Sequence, residues 1–238
     1  MLSTVHQLCR KKPIQIINIL PQTWVQQCGT GRTGENQQDE AMDTPSSVKY
    51  FRRQQHIARA GEICSSVYRV EEGWACRYCL LPDGKRQIAA LYLPGDYCEP
   101  QWLLSGRADL PVMAMTGMRV REVSLASIHS RPGDGVKRLL GAMVQMLERQ
   151  SRWIVSLGRK SAIERVSELL SDLFERLHQN EPLTDSPCAI PLTQRDIADV
   201  VGLTPVHVNR VLHDLRDRGF VELKGRTLMV RAGKITPI

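Results

Sequence analysis

The chain has 238 residues, of which 42% are hydrophobic and 24% charged, ordinary usage for a globular protein that excludes collagen-like, wholly disordered and membrane-embedded chains. At this length two domains of ordinary size are expected. Thirty-two Lys and Arg against 25 Asp and Glu leave a formal charge of +7, a mild excess that favours a polyanionic partner without specifying one.

At the N-terminus Arg10, Lys11 and Lys12 precede the apolar run 14–20, but Asn18 interrupts it and no small-residue cleavage site follows, which argues against a signal peptide. No run reaches the roughly 18 apolar residues that span a bilayer, so no membrane partner is expected. Seven cysteines (Cys9, Cys28, Cys64, Cys76, Cys79, Cys98 and Cys188) are an odd number in a chain that can fold without staples, and this predicts free thiols in a reducing cytoplasm. Residues 26–39 read QQCGTGRTGENQQD and offer only Cys28 to a core, so 1–48 is expected to be a disordered extension. Met42 stands between this tail and the patterned sequence, and the native product is expected to begin there, the alternative being a genuine tail.

Residues 49–131 alternate short apolar segments with turns at Gly61-Glu62, 71–73, 82–84, Pro94-Gly95 and Gly117, the spacing of an antiparallel β roll. Strands are expected over 67–70, 74–81, 86–93 and 112–123, with Asp83-Gly84 closing a hairpin. Over 132–158 the period becomes helical. Val136, Leu140, Met143, Leu147, Gln150, Ile154 and Leu157 recur at alternating steps of four and three, which predicts a two-helix dimerisation seam with Gln150 as a polar register residue. Leu139, Met146 and Trp153 form a second stripe that could pack on the roll; the alternative is an amphipathic helix lying on its own domain. Gly158 ends this helix and a second amphipathic helix is expected over 161–179.

The remaining 159–238 carries the segment TQRDIADVVGLTPVHVNRVL at 193–212, which reads as helix, turn, helix. Thr193 caps the first helix with Asp196 three residues on, Ala198 permits close crossing, Gly202 supplies the turn, and Thr204 with Pro205 starts the second helix. Ile197, Val201, Leu203, Val208, Val211 and Leu215 close a small core, which turns Val206, His207, Asn209, Arg210 and His213 outward. An exposed helix carrying Asn and Arg suits the major groove of double-stranded DNA. Two short strands around Lys224, Gly225 and Arg226 then form a wing with a basic tip for phosphate. The DNA-contact set is therefore Thr204, Pro205, Val206, His207, Asn209, Arg210, His213, Lys224 and Arg226. A helical pair binding a protein is the alternative.

The order β roll, long helix, winged helix-turn-helix, an α+β architecture, resembles the cyclic-AMP receptor/fumarate-nitrate-reduction (CRP/FNR) superfamily over 50–231. IARAGE at 57–62, VYRVEEGW at 67–74 and LPGDY at 93–97 are similar to that family's sensor turns, and LTPVHVNRVL is similar to its recognition helix. The resemblance implies a cytoplasmic homodimeric transcription factor on a palindromic DNA site, with RNA polymerase as a candidate partner. A sensor module that regulates a protein partner is the alternative function. In nucleotide-binding members a GlyGlu pair holds the ribose and an ArgSer or ArgThr pair neutralises the phosphate, whereas here these regions read Cys98-Glu99-Pro100 and Asp109-Leu110-Pro111, so cyclic AMP is not expected to bind. Iron-sulfur sensing needs a clustered N-terminal cysteine set, and this tail offers only Cys9 and Cys28. Cys76 and Cys79 lie three apart on a strand and point to opposite faces. No cofactor, metal or catalytic site is expected, since none of the histidine, GxSxG or phosphate-loop spacings of known catalytic motifs occurs.

Overall fold

A computed structural model describes residues 47–124, 126, 128, 133–178, 187–225 and 227–231. The expectations for the N-terminal extension, for Met42 and for Arg226 fall outside these residues. In chain order the strands are β1 (Val48–Phe51), β2 (His56–Ala58), β3 (Ser66–Glu72), β4 (Ala75–Leu80), β5 (Arg86–Tyr92), β6 (Tyr97–Cys98), β7 (Val112–Ala114) and β8 (Met118–Ser124), with the short helix α1 (Trp102–Ser105) before β7. After them come the helices α2 (Asp134–Arg159) and α3 (Ala162–Leu177), strand β9 (Cys188–Ile190), helices α4 (Gln194–Val201) and α5 (Pro205–Asp217), and strands β10 (Val221–Lys224) and β11 (Thr227–Val230).

Two antiparallel four-stranded sheets build the roll, in the orders β1-β8-β3-β6 and β2-β7-β4-β5. The single strand expected over 112–123 is in fact two strands, one in each sheet. Gly73 explains the break: it sits at φ +83°, and a Cβ there would lie 2.1 Å from the Gly117 carbonyl oxygen, so the 71–73 turn and the 115–117 crossing occupy nearly the same space. Only a glycine fits, and the chain passes from one sheet to the other at that point.

The second sheet is buried on both faces. Ala75, Ala90, Tyr92, Val112 and Ala114 meet Val67, Val70 and Val120 of the first sheet inside the roll. From the opposite face Cys76, Tyr78, Ile88 and Leu91, with Leu93 just beyond β5, pack into a continuous core with Val166, Leu170, Leu173, Val200 and Val201. A bulge sets the phase. Arg77 pairs with Ala90 but Tyr78 pairs with Ile88, so Ala89 is the extra residue, and it lets Ile88 and Ala90 serve opposite faces although they are two apart.

The long helix α2 spans 26 residues, about 39 Å. Its Leu139 is buried in the roll core and Trp153 packs on the second core, which places one stripe against the protein. Of the expected seam, Leu140, Leu147 and Ile154 are 46%, 58% and 71% exposed, and Val144 and Val155 are exposed beside them. Val136, Met143, Gln150 and Leu157 are half-buried. The apolar face left open thus runs through 140, 144, 147, 154 and 155. It is rotated from the 136/143/150/157 half of the repeat, because Val136 packs against the roll and Leu157 approaches Gly202 in the helix-turn-helix. Helix α3 starts on a capping box in which Ser161 accepts from the Glu164 amide while Glu164 accepts from the Ser161 amide.

Ile88 is fully buried where the sheet meets the C-terminal helices. Ile88→Ala should lower the unfolding free energy by about 2–5 kcal/mol, read from the midpoint shift in urea at unchanged slope.

Candidate nucleic-acid interface

Local chemistry fixes the helix-turn-helix before any tertiary contact is counted. Thr193 Oγ1 accepts from the Asp196 amide at 3.1 Å, and the Asp196 carboxylate accepts from the Thr193 amide at 3.0 Å, a reciprocal cap on α4. The helix ends at Gly202 in the left-handed region, φ 66°, and the Leu203 amide returns to the Ala198 carbonyl at 3.1 Å. Thr204 then accepts from the His207 amide at 3.3 Å and Pro205 occupies the first helical position of α5. Ile197, Val201, Val208, Val211 and Leu215 are buried and Leu203 packs beside them, as the spacing requires.

Burying that set leaves Thr204, Pro205, Val206, His207, Asn209, Arg210 and His213 exposed along one side and the N-terminal end of α5. Val206 is 61% exposed. Thr204 Oγ1 lies 3.2 Å from His207 Nδ1, and His213 Nδ1 lies 2.9 Å from the Asp217 carboxylate. Asn209 Nδ2 donates to Gln194 Oε1 at 3.2 Å, so its carboxamide is oriented by the first helix. Gln194 was not among the expected residues, and nothing in its place at the start of α4 distinguishes it from a solvated side chain.

The wing is an antiparallel pair, Val221 opposite Val230 through Lys224 opposite Thr227, with Gly225 at φ 62° in the turn. Lys224 is exposed at the tip. Strand β9 completes this sheet against β11, with Ile190 opposite Leu228. Its three residues, Cys188-Ala189-Ile190, are too few for a period of two to show in the sequence.

Inside the roll, Glu99 occupies the region implied for ribose binding. It is 2% exposed with φ 52°, accepts from Arg77 at 3.1 Å and also from Tyr92 and Gln101, and burial raises its pKa while Arg77 opposes the rise. The arginine present here is Arg77, outside the 109–111 region in which the resemblance implies one. It comes instead from the inward face of β4, and Glu99 already neutralises it. Cys76 is buried on the other face of that sheet, its thiol pushed up to about 12 by burial, while Cys79 is partly exposed. Among the described residues no three His, Cys, Asp or Glu side chains gather as a metal site, and no helix is long and apolar enough to cross a membrane.

Residues 164–232 match the Crp-like helix-turn-helix domain family and residues 48–130 the cyclic nucleotide-binding domain family. The chain is 34% identical over 166 residues to the nitrogen fixation regulation protein FixK of Bradyrhizobium diazoefficiens, covering 68% of each chain. It is 31% identical over 196 residues to the FixK protein of Azorhizobium caulinodans, covering 80% of this chain and 77% of the relative. Among solved structures, FixK2 from Bradyrhizobium japonicum superimposes with a TM-score of 0.68 at 31% identity, covering 78% of this chain and 92% of that one. With a roll, a long helix and a capped helix-turn-helix in that order, and relatives of this identity and coverage, the chain belongs to the CRP/FNR family of DNA-binding transcription regulators.

Proposed function

We propose that the protein acts in the cytoplasm as a homodimer on a palindromic DNA site, reading bases with α5 and gripping phosphates with the wing. The observation that carries this reading is the single exposed face of α5, where Val206, Asn209, Arg210 and His213 stand together above a closed core. Arg210 forks onto guanine O6 and N7. Asn209 suits adenine, and Val206 offers apolar contact to a thymine methyl where the family commonly has a glutamate. Thr204, Pro205 and His207 sit at the helix start beside the backbone, and Lys224 with Arg226 reaches phosphate. Free thiols at the described cysteines suit a reducing compartment.

The dimer forms through α2, whose open apolar face at Leu140, Val144, Leu147, Ile154 and Val155 is long enough for a second copy of the same helix. Val136, Met143, Gln150 and Leu157 flank that face. Two-fold symmetry then sets half-site centres about one helical turn, ~10 base pairs, apart. The roll does not take a cyclic nucleotide, because Arg77 and Glu99 neutralise one another and a phosphate placed there would meet a carboxylate.

Arg210→Ala should cost about 1–3 kcal/mol on the selected site and relax preference at one guanine per half-site, whereas Lys224→Ala should weaken all sequences alike and flatten the salt slope. Selection from a random DNA library with wild type and Arg210→Ala tests the reading, and an unchanged consensus in the mutant would refute it. Leu147→Glu buries a charge in the seam and should yield a monomer by light scattering with much weaker operator binding. Calorimetry with cyclic AMP or cyclic GMP should give no saturable heat.

A further inference from the structure

The contact between the sensor sheet and the DNA-binding head is more specific than an apolar face requires. At the start of β5, Arg86 Nε donates to Asp199 at 2.7 Å and Arg86 Nη2 to Asp196 at 2.5 Å. The next residue, Gln87, donates through Nε2 to the Val200 carbonyl at 3.0 Å. Residues 196, 199 and 200 lie three and four apart, on one side of α4, so two consecutive strand residues grip one helical turn of the first helix. All three charged side chains are largely buried, where the planar guanidinium holds two carboxylates in a fixed direction that an ammonium could not.

A second anchor stands beyond the other end of β5. Asp96 receives Arg149 from α2 at 3.2 Å and Arg176 from α3, and Arg176 also donates to the Leu91 carbonyl at 2.9 Å. The strand is therefore pinned at its beginning to the helix-turn-helix and near its end to the helices that carry it, with Ile88 and Leu91 packed between. A head held at two separated polar points on a shared core resists tilting in a way that packing alone does not.

We propose that Arg86 is a positioning residue for DNA binding. From the sensor sheet it fixes the tilt of α4, and with it the direction in which α5 is presented, without touching DNA. In a dimer that tilt sets the distance between the two recognition helices, so Arg86 governs which half-site spacing the protein accepts, while Arg210 governs which bases it accepts. This rests on the dimeric reading above.

The test is a set of operators with the selected half-sites held constant and the spacer changed by one or two base pairs, with affinity read by fluorescence anisotropy. Wild type should disfavour each changed spacer by about tenfold or more, within the usual range of coupling between sites. Arg86→Ala should bind the best and the changed spacers within about threefold of one another, with its base preference inside each half-site intact. Asp199→Asn, which removes one of the two negative charges facing Arg86 and leaves the α4 cap in place, should broaden the profile in the same direction, and the exchanged pair Arg86→Asp with Asp199→Arg should narrow it again. Thermal melts confirm that each variant is folded; should Arg86→Ala not fold, Asp199→Asn and the exchanged pair decide alone. A wild-type spacing profile in Arg86→Ala and Asp199→Asn overturns the proposal. So does a uniform loss of affinity with a reduced salt slope, which would make Arg86 a phosphate contact. A wild type indifferent to spacing overturns the dimeric reading and this inference with it.

Discussion

The second sheet of the roll has two buried faces, and most of what the protein can do depends on that constraint. An antiparallel sheet ordinarily turns one face to water. Here one face closes the sensor core while the other supplies part of the core under α3, α4 and α5. The head is thus built on the sensor rather than tethered to it, and neither core can be repacked without disturbing the strand they share. The bulge at Ala89 shifts the phase of β5, so that Ile88 faces the core under the helices while Ala90 faces the inside of the roll.

The polar groups follow the same plan. Charges buried between the two bodies are paired, as Arg86 is with Asp196 and Asp199 and Arg176 with Asp96 and Asp172. Such pairs contribute little to stability against an apolar replacement of the same shape, but leaving one partner alone costs several kcal/mol, so they specify an arrangement more than they strengthen it. The interior pair Arg77 and Glu99 does the same within the roll: a buried arginine that could have met an exogenous anion meets an endogenous one.

Much of this was legible in the sequence. The helix-turn-helix could be read residue by residue because its signals are local: a cap, a glycine, a proline and a period that buries Ile197, Val201, Val208, Val211 and Leu215. The hairpin at Asp83-Gly84 and the length of α2 were legible for the same reason. What escaped depends on contacts between residues far apart in the chain. The strand expected over 112–123 broke because Gly73 and Gly117 meet across it, and which side of α2 is covered depends on the roll and the helix-turn-helix, which the period of the stripe alone does not show. Arg77 and Arg86 look like any strand arginine until the fold supplies Glu99 to one and Asp196 to the other. The periodicity of a strand says which face a side chain takes, not what waits there.

Asp196 divides its two oxygens between two tasks. Oδ2 takes the Thr193 amide and hydroxyl and closes the start of α4, while Oδ1 takes the Arg86 guanidinium. Were the carboxylate's cap and its clasp the same lone pairs, parting the head from the sensor would fray the first turn of the reading motif. Because they are separate, loss of the Arg86 clasp leaves Oδ2 engaged and the Thr193 cap of α4 closed. One carboxylate thus joins a tertiary clasp to the start of the reading motif, and neither the clasp nor the cap draws on the other's acceptor atom.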